Sequence, residues 1–219
     1  MDIKVNEDTV VVFDLDDTLY NELDYLRSAY IQISKEIDKQ NWRFLFSKIF
    51  SLYRCNEDVF GWIAQNHGIE KNKLIHIYRN HQPSIHLFEG ALDLLKAIKI
   101  KKGKIGIITD GRTTTQNAKI KALGIAELID CIVISEEIGT EKPNEQNYKQ
   151  IENAFQEHSY LYIADNFRKD FTSPNKLGWQ TIGLVDNGLN IHHDTHKYIS
   201  DKALKPKKLA LTLKEINPV

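Results

Sequence analysis

The chain has 219 residues, 42% of them hydrophobic and 27% charged, which is ordinary for a globular protein and enough for one good core plus a small inserted unit. A formal net charge of −1 excludes the one-signed field expected of a nucleic-acid or membrane-surface protein. The acidic start (Asp2, Glu7, Asp8) is unlike a signal peptide and no apolar run is long enough to span a bilayer; Cys55 and Cys131 have no zinc spacing, so a cytoplasmic protein with buried free thiols is expected.

In chain order, Val10-Val11-Val12-Phe13 reads as a buried strand that stops abruptly in Asp14-Leu15-Asp16-Asp17-Thr18. Open α/β sheets bind ligands at the carboxyl ends of their strands. If the chain is still extended there, Asp14 and Asp16 point to one side, and carboxylates so placed share a site comfortably only with a cation or proton between them. The alternative for such a cluster is a solvated turn, since turns favour Asp.

From Tyr20 to His86 the pattern is helical. Leu23, Leu26, Tyr30, Ile33 and Ile37 form one group, Phe44, Leu45, Lys48, Ile49 and Leu52 a second, and Val59, Trp62 and Ile63 a third that ends at Gly68. A fourth group, Leu74, Ile75, Ile77 and Tyr78, precedes the break at Gln82-Pro83. The aromatics Trp42, Phe44, Phe46, Phe50, Tyr53, Phe60 and Trp62 read as the core of this block.

From Phe88 helix and strand alternate. Leu92, Leu95 and Ile98 mark a helix, and Lys104–Thr109 is a strand that turns at Asp110-Gly111. Thr113 is the expected cap of a helix carrying Ala118, Ile120 and Leu123 and ending at Gly124. Cys131–Ile134 is a strand, Pro143 is expected to open a helix through Tyr148, Ile151 and Phe155, and Tyr160–Ala164 is a strand ending in Asp165. Thr181–Val185 is a further strand, and Leu209–Leu213 a last strand or helix. Such alternation implies βαβ units: an α/β fold with a Rossmann-like parallel sheet core. Asp14, Thr109 and Asp165 then gather on one sheet edge, with Lys142 joining from a loop.

These residues carry a resemblance. Asp14-Leu15-Asp16-Asp17-Thr18, then Thr109-Asp110-Gly111, Lys142-Pro143, and Asp165-Asn166 with Asp170, in this order, resemble the four motifs of the haloacid dehalogenase superfamily of phosphotransferases. The helical insert resembles the C1 cap of its small-molecule phosphatases and β-phosphoglucomutase-like members. The resemblance implies a core domain of residues 1–19 and 88–219 and a cap of residues 20–87, closing over the crevice on hinges near Leu19–Glu22 and Ser84–Phe88.

It also implies a Mg²⁺-dependent phosphatase acting on a small phosphorylated metabolite, a sugar phosphate or nucleotide. Asp14 would be the nucleophile, forming an aspartyl-phosphate, and also a metal ligand. Asp16 would give the metal its backbone carbonyl and serve as acid and base. Asp165 would be a metal ligand; Asp170 would be a more distant ligand or would orient Lys142. Thr109 and the backbone N–H groups of Asp110 and Gly111 would hold phosphoryl oxygens, Lys142 would place positive charge on nucleophile and phosphoryl group, and Thr18 would tie down its turn. A dehalogenase needs neither the metal nor an acid at Asp16.

Two positions depart from the family: Ala164 stands where Gly is usual, and Asp110 where Asn is commoner. Asp110 is expected to face away and cap the following helix region. The alternatives to a phosphatase are a phosphomutase and a non-catalytic regulatory protein on the same fold; the complete motif set argues against the second. Arg27, Arg54 and Arg79 are read as surface or packing residues rather than substrate contacts. His192, His193 and His196, amid Asp186-Asn187-Gly188 and Asp194, read as a solvated loop, and Lys205-Pro206-Lys207-Lys208 is too short to imply nucleic acid. The expected partner is the small-molecule substrate alone, with no nucleic acid or membrane, for a monomer or homodimer.

Overall fold

The computed structural model describes residues 1–156 and 158–219 and divides into two compact units, Met1–Glu22 with His86–Val219, and Leu23–Ile85. The elements are β1 (Asp2–Ile3), β2 (Thr9–Phe13), α1 (Glu22–Ile37), α2 (Trp42–Arg54), α3 (Val59–His67), α4 (Lys71–Asn80), α5 (Ala91–Ile100), β3 (Lys104–Thr109), α6 (Thr113–Ala122), β4 (Cys131–Ile134), α7 (Ser135–Ile138), α8 (Glu145–Ala154), β5 (Ser159–Ala164), α9 (Thr172–Lys176), β6 (Gln180–Leu184), β7 (Lys208–Ala210) and β8 (Asn217–Pro218). No described helix is long and apolar enough to cross a membrane.

The larger unit is built on a six-stranded sheet in the order β4-β3-β2-β5-β6-β7, parallel throughout. With β1 set aside this is the Rossmann order, in which the chain works outward to one side of β2 and then to the other. The switch point lies between β2 and β5, where such sheets place ligands. All five residues of β2 are buried, as an apolar run covered on both faces should be. The ladder carries one residue past the strand, the Asp14 N–H donating to the Ile163 carbonyl at 3.0 Å, so Asp14 stands at the carboxyl end of the central strand. Behind it Val10, Val12, Tyr148, Ile151, Tyr162, Phe171 and Trp179 form a buried cluster. β1 and β8 pair as a separate two-stranded parallel sheet; two residues are too few to show any period.

The smaller unit packs its helices around Leu26, Tyr30, Ile33, Ile49, Ile63 and Leu74. Gly68, at φ 66°, ends α3 in the left-handed conformation that favours glycine. Phe46, Phe50, Tyr53, Phe60 and Trp62 pack half-buried against this core. Two of the aromatics do not belong to it. Phe44 is 81% exposed, one residue off the Leu45–Ile49 stripe that α2 buries. Trp42 instead lies beneath the cationic ends of Lys35 and Arg43.

Other expectations also need correcting. Cys55 is exposed and Cys131 half-buried, though both are free. Thr113 is the first residue of α6 rather than its cap, and its N–H donates to Glu136 Oε2 at 2.8 Å. Pro143 precedes α8, which is capped by Asn144 accepting from the Gln146 N–H; the Lys142-Pro143 bond is cis. Residues 20–22 stay with the larger unit because they are tied to it: Asp17 Oδ1 accepts from the Glu22 N–H at 2.8 Å, Asn187 donates to Asn21 at 2.9 Å, and Tyr20 donates to Asp16.

Candidate active site

At the carboxyl edge of the sheet, Asp14, Asp165 and Asp170 are buried with oxygens within 4.8 Å of one another. Asp14 follows β2, Asp165 follows β5, and Asp170 lies in the turn before α9. Lys142, from the loop before α8, places Nζ 2.5 Å from Asp14 Oδ1 and 2.8 Å from Asp170 Oδ1. The Thr18 hydroxyl is in reach of both Asp165 Oδ1 (3.2 Å) and Asp14 Oδ2 (3.4 Å), and Asn190 donates to Asp165 Oδ2 at 2.9 Å.

Three carboxylates against one ammonium leave two negative charges, the complement of a divalent cation. The energetic mark of that imbalance is clear. Burial pushes Asp14 up to about 7 against the pull of Lys142, and Asp170 adds to the rise. Burial, Asp14 and Asp170 push Asp165 well above the usual carboxylate range. Burial works against the Lys142 charge as well, but Asp14 and Asp170 outweigh it and hold the ammonium well above the ordinary lysine value. The donor set is all hard oxygen, which suits Mg²⁺. Asp170 has both oxygens engaged, Oδ1 by Lys142 and the Tyr162 hydroxyl (3.3 Å), Oδ2 by the Asn166 N–H (3.0 Å).

Asp16 meets a different environment. Its Oδ1 accepts from Lys119 Nζ at 2.7 Å and from the Tyr20 hydroxyl, and its Oδ2 accepts from Gln116 Nε2 at 2.9 Å. Burial opposes its charge, but the Lys119 ammonium and these three donors win and hold its pKa below the ordinary value. Thr109, buried at the end of β3, accepts from Gln116 Nε2 at 2.5 Å. A pocket of about 110 Å³ opens among Asp14, Asp16, Thr109, Asp110, Asp165 and Lys169. A larger cavity, about 800 Å³, lies among residues at the opposite, amino end of β2, β5 and β6, away from this chemistry.

The sequence model of haloacid dehalogenase-like hydrolases matches residues 11–184. The chain belongs to that family. Among its relatives, this hydrolase is 28% identical over 201 residues to pyrimidine 5'-nucleotidase YjjG of Escherichia coli, covering 84% of this chain and 86% of that protein. It is 24% identical over 194 residues to the glyceraldehyde 3-phosphate phosphatase of Methanocaldococcus jannaschii, covering 80% and 84%. Among solved structures it shares its fold with a HAD phosphatase from Thermococcus onnurineus (TM-score 0.60, 15% identity, 97% of this chain and 95% of that one). CbbY from Rhodobacter sphaeroides is similar as well (TM-score 0.59, 14% identity, 94% and 95%).

In this hydrolase all the motif residues lie at one sheet edge, but two are used otherwise than expected. Asp110 does not cap α6. Its Oδ1 accepts from the Lys142 N–H at 3.0 Å and its Oδ2 pairs with Lys169 Nζ at 2.7 Å, so the extra carboxylate is neutralised within the pocket wall. The Gly111 N–H, expected at a phosphoryl oxygen, donates to Ser135 Oγ at 2.8 Å, because the start of α7 brings that hydroxyl against the turn. Gly111 itself, at φ 136°, is in the region that favours glycine.

The residues that escaped sequence reasoning are Gln116, Lys119, Lys169, Glu22, Asn190 and His192. Glu22 lines the pocket, where burial and the neighbouring Asp16 push it up to about 8. His192, on the exposed loop after β6, reaches the pocket because that loop is latched by the Ile191 N–H on Asp17 Oδ2 (2.8 Å) and by Asn190 on Asp165. The one signal that could have found a pair of them is the i, i+3 spacing of Gln116 and Lys119 just after the Thr109-Asp110-Gly111 motif.

Proposed function

We propose that this hydrolase is a Mg²⁺-dependent phosphatase of small phosphate monoesters, working through an aspartyl-phosphate on Asp14, with the unit 23–85 as its substrate-selecting cap. The observation that carries the reading is Asp14, paired with the buried Lys142, lining a pocket of about 110 Å³ together with Asp165 and Thr109. The carboxylates of Asp14 and Asp165, with the Asp16 backbone carbonyl, would hold Mg²⁺. When bound, the ion supplies neutralising charge to the phosphoryl group and its attacking carboxylate.

The chain's own residues do the rest. A carboxylate oxygen of Asp14 attacks phosphorus as the bond to the leaving oxygen breaks, and Asp16 gives that oxygen its proton. Asp16 then takes a proton from water, which attacks phosphorus, frees phosphate and restores Asp14. The Thr109 oxygen already accepts from Gln116, so its own proton is available to a phosphoryl oxygen, alongside the Asp110 N–H. Lys142 balances the charge of Asp14, and Asp170 acts through Lys142, since its oxygens are already engaged. A nucleotide or a sugar or triose phosphate is the substrate class that the named relatives favour.

The test is phosphate release from 4-nitrophenyl phosphate and a panel of nucleoside and sugar monophosphates, with Mg²⁺ and with excess EDTA. Turnover that needs Mg²⁺, vanishes in Asp14→Asn and leaves acid-stable label on Asp14 when quenched is the expected result. Full activity in EDTA, or in Asp14→Asn, overturns the reading.

A further inference from the structure

Helix α6 buries two side chains that a surface helix does not ordinarily bury: Gln116 is 1% exposed and Lys119 4%. They lie one turn apart on the same face. A buried ammonium is costly unless paired, and Lys119 is ion-paired with Asp16 at the active site. Lys119 Nζ is 2.7 Å from Asp16 Oδ1, and Gln116 Nε2 is 2.9 Å from Asp16 Oδ2. The second proton of the same amide goes to Thr109, which fixes the amide in turn. The Tyr20 hydroxyl adds a third donor to Asp16, on Oδ1.

A carboxylate offers about four lone-pair positions. Among the described residues three are taken, two on Oδ1 and one on Oδ2, so the remaining position belongs to Oδ2. Donors on both oxygens also hold the carboxyl group against rotation. A general acid works only within hydrogen-bond reach of the oxygen it serves, so its orientation is worth a large share of its effect.

We infer that Gln116 and Lys119 are positioning residues that hold Asp16 in one orientation, with Oδ2 presented to the leaving oxygen. This rests on the proposed role of Asp16 as acid. Neither residue lines the pocket of about 110 Å³. Their effect should therefore grow with the basicity of the leaving group, which a merely structural role would not produce.

The test compares phenyl phosphate with 4-nitrophenyl phosphate, two esters of similar shape whose leaving oxygens differ in basicity. It uses the full-length enzyme with Mg²⁺ and the variants Lys119→Met, Lys119→Arg, Gln116→Leu and Asp16→Asn. The readout is kcat/KM, which covers only the steps up to departure of the leaving group. Lys119→Met and Gln116→Leu should each lose roughly tenfold or more on phenyl phosphate, a share of the roughly 10²–10⁴-fold that a positioned acid supplies. On 4-nitrophenyl phosphate the loss should stay within about threefold, and Lys119→Arg should recover part of the phenyl phosphate rate.

Equal losses on both esters, or none on either, overturn the inference. Asp16→Asn separates this from the parent reading. If it treats both esters as the wild type does, the role of Asp16 has failed. If it loses phenyl phosphate selectively while the α6 variants do not, only the positioning role has failed. Near-ultraviolet circular dichroism of each variant checks the fold, and the two α6 substitutions serve as independent probes should one fold poorly.

Discussion

Replacing Lys142 with Met removes the ammonium that, among the described residues, forms ion pairs with the buried carboxylate cluster. The Lys142 side chain is fully buried, 2.5 Å from Asp14 and 2.8 Å from Asp170. The cluster goes from three carboxylates and one ammonium, −2, to three carboxylates alone, −3. Methionine fills most of the stem's volume, so the change tests charge more than packing. Taking one partner from a buried ion pair costs about 3–5 kcal/mol. At about 2–4 °C per kcal/mol for a chain of this size, the Tm in EDTA should fall by about 6–20 °C. The loss has a definite pH dependence. Asp14, already pushed to about 7 with Lys142 present, rises further without it. A carboxyl whose folded pKa exceeds its unfolded value destabilises the fold increasingly as pH rises from about 4 through the folded value, so the deficit should be larger at pH 8 than at pH 6. Mg²⁺ should recover part of it, by about 2.7 kcal/mol at a hundredfold excess over its Kd. The three tryptophans are Trp42, Trp62 and Trp179. In a Trp42→Phe, Trp62→Phe background, Trp179 reports the larger unit alone by fluorescence. A Tm within about 2 °C of the parent in EDTA at pH 8, less than 1 kcal/mol by the same conversion, would refute the charge argument.

Asp14→Asn changes the sign: it takes the cluster to −1 and keeps an oxygen for Lys142, so it should raise the Tm in EDTA by a few degrees while ending phosphate release, and a lowered Tm would count against it. Asp110→Asn retains an acceptor for the Lys142 N–H but frees Lys169, now 2.7 Å from Asp110, to face the pocket; KM for 4-nitrophenyl phosphate should fall, and an unchanged or higher KM would show that Lys169 does not reach the phosphoryl site. Gly183→Ala would bring a Cβ to 2.7 Å from Pro206 Cγ and 2.9 Å from Phe167 Cζ, ring atoms with little room to yield, so urea unfolding should show a loss of about 1–3 kcal/mol.

The sheet was legible because its strands are short apolar runs and three of them end in chemistry-bearing residues, Asp14, Thr109 and Asp165. A parallel sheet has no choice but to gather those ends. The helices of the smaller unit were legible from their periodicity, down to the left-handed Gly68. What the sequence hid were partners rather than positions. Lys119 looks like a solvated lysine beside Ala118 and Ile120, but it is buried and ion-paired with Asp16, 103 residues away. Asp110 is visibly an acid at a phosphate motif, but the direction it faces is decided by Lys169, 59 residues on. The Gly111 N–H was expected to be open because glycine has no side chain to obstruct it; a hydroxyl from the next helix takes it.

Asp14 and Asp16 show why two carboxylates so close in the chain need not compete for one role. Two residues apart, they leave the same strand end into opposite surroundings. Asp14 faces Asp165, Asp170 and the ammonium of Lys142, with Lys169 nearby, and burial holds its pKa high. Asp16 accepts from α6 and Tyr20, and the Lys119 ammonium and these donors hold it low against burial. This order is opposite to the one the proposed roles use, an ionised nucleophile and a protonated acid; a divalent cation would favour the Asp14 carboxylate. Here the separation is built on different scaffolding. The surroundings of Asp14 come from the loops after β4 and β5, those of Asp16 from Tyr20 and the turn of α6 that carries Gln116 and Lys119. The two can therefore be perturbed independently, and a substitution in α6 should alter proton transfer while leaving the carboxylate cluster as it is.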